Sequence, residues 1–332
     1  MSAEPSLDAV TIGNAMVDVI AAVDERFLVA HDMVKASMML VDAQRSDFLY
    51  SRIGECIQAS GGSAANTSHG MASFGARAGF IGKIADDELG RVFAADLARA
   101  GVKFFPAPFD HDEPTGRCVI AVTPDGQRTM NTFLGAGAVL TPGDISREAV
   151  QSAAVVFLEG YLFDKDDAKE AFRVAAQYAH DARRRVALTL SDSFCVERHR
   201  PDFLALVRDE VDILFANEHE LCSLYETNSF DEAVVKLRRD CRLAAVTRSH
   251  LGSVVITPDE YVEVPPIDVD RVVDATGAGD MYAAGFLVGF ARGASLADCG
   301  LMATIAATEV IGHVGPRPLV PLATLVPERL SR

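Results

Sequence analysis

Several familiar features are missing from this sequence, and each absence excludes something. No apolar run reaches the length needed to cross a bilayer, and the first residues lack the basic-then-apolar pattern of a secretion signal. The six cysteines (Cys56, Cys118, Cys195, Cys222, Cys241, Cys299) are scattered, with no CxxC pair and no metal-ligand spacing. Reduced, partly buried thiols in a cytoplasmic protein are the simplest expectation. Positive charge is scarce: 31 Lys and Arg stand against 47 Asp and Glu, a formal net charge of −16. Such a balance argues against nucleic acid and anionic membrane as partners. Two nucleotide motifs fail as well. GxGxxG breaks at Tyr282, which stands where the third glycine belongs, and GxxxxGK[ST] breaks where Gly82-Lys83 runs into Ile84 without the earlier glycine.

What is present is an ordinary globular composition. The 332 residues are 49% hydrophobic and 23% charged, enough for one large α/β domain with an appendage. There is no low-complexity linker and no internal repeat. The C-terminal half alternates strand-like apolar runs (154–159, 186–191, 211–216, 243–247, 253–257) with helical periods. Residues 166–184 read as an amphipathic helix with Ala168, Phe172, Ala175 and Ala179 facing inward. Strands that are apolar throughout and alternate with helices indicate a mainly parallel sheet covered on both faces. Residues 115–133 differ: two β-rich runs flank Thr123-Pro124-Asp125-Gly126, a hairpin with no intervening helix. With part of 19–41 it is expected to form a small β lid outside the main sheet.

The stretch Asp274-Ala275-Thr276-Gly277-Ala278-Gly279-Asp280 carries the most chemistry. It sets a glycine turn, a carboxylate and the start of a buried helix side by side, the helix running to near Gly293. A helix beginning at these glycines aims its free N–H groups and positive dipole end at an anion. Asp280, in the first turn, stands beside that anion, where it is suited to take a proton from an attacking hydroxyl. The alternative is a glycine turn followed by an ordinary first-turn acid. A second cluster, Gly61-Gly62-Ser63-Ala64-Ala65-Asn66-Thr67, opens another helix that runs to Gly75. Its glycines let backbone approach a ligand closely, and Asn66 offers both donor and acceptor; a loop with a buried Asn cap is the alternative. Upstream, Gly13-Asn14 and Asp18 follow the first strand. Asp18 is suited to accept two hydrogen bonds from a vicinal diol, or else is a solvated loop acid.

With these two clusters in place, the chain resembles the ribokinase (PfkB) family of sugar and nucleoside kinases over nearly its whole length. Residues 61–90, including Gly79-Phe80-Ile81-Gly82 and Asp86-Asp87-Glu88-Leu89-Gly90, carry one signature, and 274–280 carry the other. Asn217-Glu218-His219-Glu220 matches the family's NxxE pattern. Gly13 through Asp18 (GNxxxD) and Val211 through Glu220 (VDILFxNxxE) resemble the adenosine-phosphorylating branch.

The resemblance implies a three-layer, doubly wound, mainly parallel α/β sheet with a small β-sheet lid. It implies one kinase domain over 1–332, with the lid inserted at about 15–42 and 104–134. The implied reaction is ATP-dependent phosphorylation of the 5′-hydroxyl of a nucleoside, adenosine above all, in purine salvage. A free sugar such as ribose or fructose is the alternative substrate. By the same resemblance Asp280 is the general base, and Gly277, Ala278 and Gly279 form the anion hole. Asp18, Gly62 and Asn66, with Asn14 nearby, hold the ribose hydroxyls. Arg128 covers the phosphates from the lid, and Tyr161 or Leu162 packs on the base. Asn217 and Glu220 act through Mg²⁺-bound water, and Thr247 and Gly252 lie near ATP. Asp274 and Thr276, with the loop 313–318, match a potassium site in relatives. One departure stands out: Ser249 occupies a position where the family usually has glycine. A small-molecule substrate and a monomer or homodimer complete the expectation.

Overall fold

In the computed structural model, residues 4–107 and 112–330 are described. Among them fourteen strands occur: β1 (Leu7–Ile12), β2 (Met16–Ala22), β3 (Met38–Leu40), β4 (Ile57–Gly61), β5 (Ala78–Gly82), β6 (Lys103–Pro106), β7 (Gly116–Val122), β8 (Arg128–Phe133), β9 (Ala153–Glu159), β10 (Arg185–Thr189), β11 (Ile213–Asn217), β12 (Leu243–Thr247), β13 (Ser253–Ile256) and β14 (Tyr261–Val264). Nine form one sheet in the order β14-β13-β12-β11-β10-β9-β1-β5-β6, parallel from β12 to β6. The last two strands, β13 and β14, run antiparallel at one edge.

The two-sided sheet follows from the period-2 geometry of its strands. Ala9, Val155, Phe157, Ala187, Ile213, Phe215 and Ala245 point into one core layer, shared with the helices Ser63–Ser73, Ala278–Ala291 and Leu296–Ile311. Their neighbours Val10, Val156, Leu158, Val186, Leu188, Leu214 and Val246 point into the other, against Asp166–Asp181, Ser193–Asp209 and Phe230–Asp240. Both faces are therefore dry, and every residue of the central strands can be apolar.

The expected hairpin at 115–133 forms, with Cys118 opposite Thr132 and Val122 opposite Arg128. It belongs to a separate five-stranded sheet, β3-β8-β7-β2-β4, in which β2 pairs parallel with β7 and antiparallel with β4. This second sheet differs from the lid ranges read from sequence. Ile57–Gly61 joins it from outside those ranges, whereas Lys103–Pro106 pairs with β5 in the large sheet. Within the second expected segment, residues 108–111 lie outside the described residues. The strand read as 186–191 stops at Thr189, because the backbone turns to φ +72° at Ser191.

Candidate active site

The strand order reverses at β1. From there the chain continues to β5 and β6 on one side and later fills β9 through β12 on the other. Such a reversal leaves a crevice beyond the carboxyl ends of the diverging strands. Gly13-Asn14, just after β1, and Glu159, ending β9, meet there. Asn14 donates from Nδ2 to Glu159 Oε1 at 2.8 Å, and the Ala64 amide donates to Oε2 at 2.8 Å. Glu159 thus binds the β1 loop to the start of the helix Ser63–Ser73. Gly62, at φ +99°, permits the close approach: a Cβ there would fall 2.2 Å from the Asn14 carbonyl oxygen. Burial pushes the Glu159 carboxyl up to about 7 in spite of these donors.

The helix Ala278–Ala291 begins at Gly277, whose φ of +78° is left-handed and whose missing Cβ makes room for Pro316. Nothing lies within 4 Å of a Cβ built on Gly279, so the helix terminus faces open space. Asp280 stands in the first turn. Its Oδ1 accepts from Ser63 Oγ at 2.6 Å and its Oδ2 from Asn66 Nδ2 at 3.0 Å. Burial raises the proton affinity of this carboxyl, and the two donors offset part of that rise. A partly desolvated acid held by two neutral donors beside an open amide terminus is equipped to accept a proton next to an anion.

A cavity of about 740 Å³ opens in front of Asp280. Of the residues expected in the site, eleven line it: Asn14, Gly62, Asn66, Tyr161, Asn217, Glu220, Thr247, Thr276, Gly277, Gly279 and Asp280. Ala278, Asp18, Arg128 and Gly252 do not. Asp18, on the same face of β2 as the cavity-lining Met16, lies against Gly61, where a Cβ would fall 2.4 Å from its Oδ1, and burial lifts its carboxyl to about 6. Gly252 closes the turn between β12 and β13 at φ +83°, with the Val264 carbonyl pressed against it, which is a structural reason for glycine there. Tyr161 keeps to the wall and donates to the Ser191 carbonyl at 3.2 Å, while Leu162 is buried in the core.

The NxxE residues form a capping box at the start of the helix Glu218–Leu224. Asn217 donates from its amide nitrogen (2.9 Å) and Nδ2 (2.6 Å) to the Glu220 carboxylate, and the Glu220 N–H donates to Asn217 Oδ1 at 2.8 Å. Burial raises Glu220 to about 7. Among the described residues no group of three or more His, Cys, Asp or Glu is placed to hold a metal directly. Glu220 on the cavity wall suits an ion that keeps its own waters.

Arg128 points at an acid. Its Nη1 donates to Asp274 Oδ2 at 2.6 Å, and both side chains are largely buried. The Gly315 amide (2.9 Å) meets the same oxygen, while Thr276 supplies its amide (2.9 Å) and Oγ1 (2.6 Å) to Oδ1. Against the burial that would raise it, these donors hold Asp274 at about 2. Any potassium here would meet a carboxylate that already has four donors, one of them cationic.

Four residues at the site escape the sequence reading of roles. Ser63 lies inside the second glycine cluster, and Glu159 is a lone acid ending an apolar strand; both were detectable as such. Phe194, 73% exposed on the cavity wall, carried no local signal, and Arg317, behind Asn66, was marked only as part of the loop 313–318. At the opposite end of the strands lies a second groove of about 610 Å³, edged by Arg183, Arg184, Arg208, Arg238 and Arg239. Those arginines follow or end three helices, where cations offset the carbonyl ends of the dipoles.

Phosphoryl transfer to a small alcohol is the class of chemistry such a fold and crevice serve. The chain belongs to the pfkB family of carbohydrate kinases, whose model matches residues 7–323. It is an ATP-dependent phosphotransferase with an alcohol acceptor. Adenosine kinase from Sinorhizobium meliloti has a similar structure, with a TM-score of 0.87 and 51% identity over 96% of this chain and 98% of that one. A probable sugar kinase protein from Rhizobium etli also superposes with a TM-score of 0.87, at 45% identity over 96% and 97%. Adenosine kinase of Saccharomyces cerevisiae is 26% identical over 92% of this chain and 95% of its own. Among the described residues no helix is long and apolar enough to cross a membrane.

Proposed function

We propose that this chain transfers the terminal phosphoryl group of ATP to the 5′-hydroxyl of adenosine or a close purine nucleoside, in cytoplasmic purine salvage. One observation carries the choice of a nucleoside over a free sugar. The cavity in front of Asp280 continues into a wall of Met16, Met38, Leu40 and Met130, all from the small sheet. A free hexose offers hydroxyls on every side and gains little from methionines. A purine base is apolar on both faces, and thioethers adapt to its shape.

In this reading the small sheet is a lid that excludes water from the transfer. Asp18, Gly62 and Asn66 hold the ribose hydroxyls, with Asn14 close by. Tyr161 and Phe194 flank the base. Asp280 takes the proton from the attacking hydroxyl, held in place by Ser63 and Asn66. The amides at Gly277–Gly279 receive the charge on the transferring group; a preorganised donor of this kind is worth about 3 kcal/mol in the transition state. Mg²⁺, when bound, would be held through water by Asn217 and Glu220 and would neutralise phosphate charge. Thr247 reaches the same end of the cavity.

The test is ADP release from ATP with adenosine, inosine, guanosine, ribose and fructose as acceptors. Adenosine should give the highest kcat/KM. A preference for ribose or fructose would overturn the nucleoside assignment and leave a sugar kinase.

A further inference from the structure

Behind the cavity wall lies an arginine that does not touch the cavity. Arg317 follows Gly315-Pro316 and folds back over the start of the second glycine cluster. Its Nη1 donates to Asp96 Oδ2 at 2.5 Å, its Nη2 donates to Ser60 Oγ at 2.7 Å and to the Ser60 carbonyl, and its Nε donates to Asn66 Oδ1 at 3.4 Å. Asp96 is itself fixed: it accepts from the Ser60 amide (2.9 Å) and Ser60 Oγ (2.6 Å) and pairs with Arg99. The guanidinium therefore sits in a rigid clamp made by β4 and the helix Glu88–Arg99.

An asparagine amide can face either way, because its oxygen and nitrogen have nearly the same shape. Which end meets Asp280 matters. The N–H end donates to the carboxylate, whereas the carbonyl end would repel it. Arginine has donors only, so the group facing Arg317 must be Oδ1. That leaves Nδ2 to face Asp280, as found at 3.0 Å.

We propose that Arg317 is a positioning residue for the phosphoryl transfer: by clamping the oxygen of Asn66, it fixes the amide donor on Asp280 and so sets both the aim and the proton affinity of that carboxylate. The inference rests on the kinase reading given above. Other charged or titratable groups within electrostatic reach of Asp280 are Asp18 on β2, Glu159 at the end of β9 and Tyr161 just beyond it. Asp18 feels the charge of Arg317 directly, so a variant that keeps the charge is needed to separate field from geometry.

Arg317→Lys is that variant. It retains a cation, but one ammonium cannot reproduce the forked clamp on Asp96 and Ser60 while reaching Asn66. We expect kcat to fall about tenfold or more, as when a hydrogen bond to a charged group is lost. KM for ATP should stay within about twofold, and the acid limb of the kcat profile should move to higher pH. Ser60→Ala loosens the same clamp and should shift both readouts in the same direction, by less; it serves if the lysine variant does not fold. In an Asn66→Ala background Arg317→Lys should have no further effect on kcat. Unchanged kcat and pH profile in folded Arg317→Lys, or losses that simply add in the double variant, would overturn the proposal and leave Arg317 a structural tie. A wild-type enzyme inactive on every acceptor would instead defeat the kinase reading itself, and this proposal with it.

Discussion

The Arg128 guanidinium and the Asp274 carboxylate meet at 2.6 Å, an ion pair that joins β8 of the small sheet to the loop leading into the Asp280 helix. Both partners are largely buried, so the pair is poorly screened by salt, and losing one partner strands the other. The pair links the position of the small sheet to the amides at the start of the Asp280 helix. Arg128→Ala should therefore lower kcat/KM by about tenfold to a hundredfold, comparable with loss of a charge-assisted hydrogen bond. Steady-state kinetics of the variant measure this, and a loss below twofold would mean that the link has no catalytic weight.

The same pair bears on monovalent cations. Arg128 already supplies the positive charge at Asp274, beside three further donors. Replacing potassium with a bulky organic cation at constant ionic strength should change the rate by less than about twofold, since a fully satisfied carboxylate offers little to a second cation. Strong activation by potassium would show that the ion displaces Arg128.

Asp280→Asn removes the proposed proton acceptor while keeping size and shape. Turnover should drop by about 10³-fold, within the range of a general base, while KM for ATP moves by about threefold or less. Normal kcat in the Asp280→Asn variant would remove the central residue from the mechanism.

The pH dependence of stability has a definite sign. Burial raises four carboxyls of the site: Asp280, Asp18 to about 6, and Glu159 and Glu220 to about 7. A raised folded-state value means that the native protein binds the proton more tightly than the unfolded chain. The stabilisation is complete below the ordinary carboxylate range and is lost as pH rises through about 6 to 7. Asp96 and Asp274 lie at about 2, so their contribution is lost only in strong acid. The melting temperature of the ligand-free protein should accordingly be higher at pH 6 than at pH 8. A scanning-calorimetry series that is flat or reversed over this interval would contradict the burial of these acids.

Ser249 stands at φ +52°, a left-handed backbone that glycine adopts freely and serine does not. The resemblance implies a glycine at this position, and the backbone here is one that glycine adopts freely. Ser249→Gly should raise stability by about 0.5–1 kcal/mol, the αL strain less the added freedom of the unfolded chain. Chemical denaturation measures the gain, and a net loss would indicate that the serine makes a compensating interaction.

How far the site could be read in advance depended on the range of the forces involved. Gly62 and Gly277 were legible because each is demanded by its own backbone angle, next to a helix start. Asn217 and Glu220 were legible because a capping box spans a single turn. The strand at 186–191 was read too long because a polar residue at φ +72° leaves no compositional trace. Arg128 was identified as a lid residue, but its partner was not, since 146 residues separate it from Asp274. Arg317 falls within the loop 313–318 matched to a potassium site, but 251 residues separate it from Asn66 and no local signature pairs the two.

By itself the sequence determined the alternation of strands and helices in the C-terminal half, which glycines open helices, and which acid stands in the first turn beside an anion-seeking helix terminus. These follow from short-range sterics and hydrogen bonds between neighbours. Only the tertiary structure decided that Glu159 meets Asn14 across the reversed strand order, that Arg128 is held by Asp274, and that Asn66 is turned by Arg317. Each of those pairs is created by the packing of distant strands and helices, which local preference does not encode.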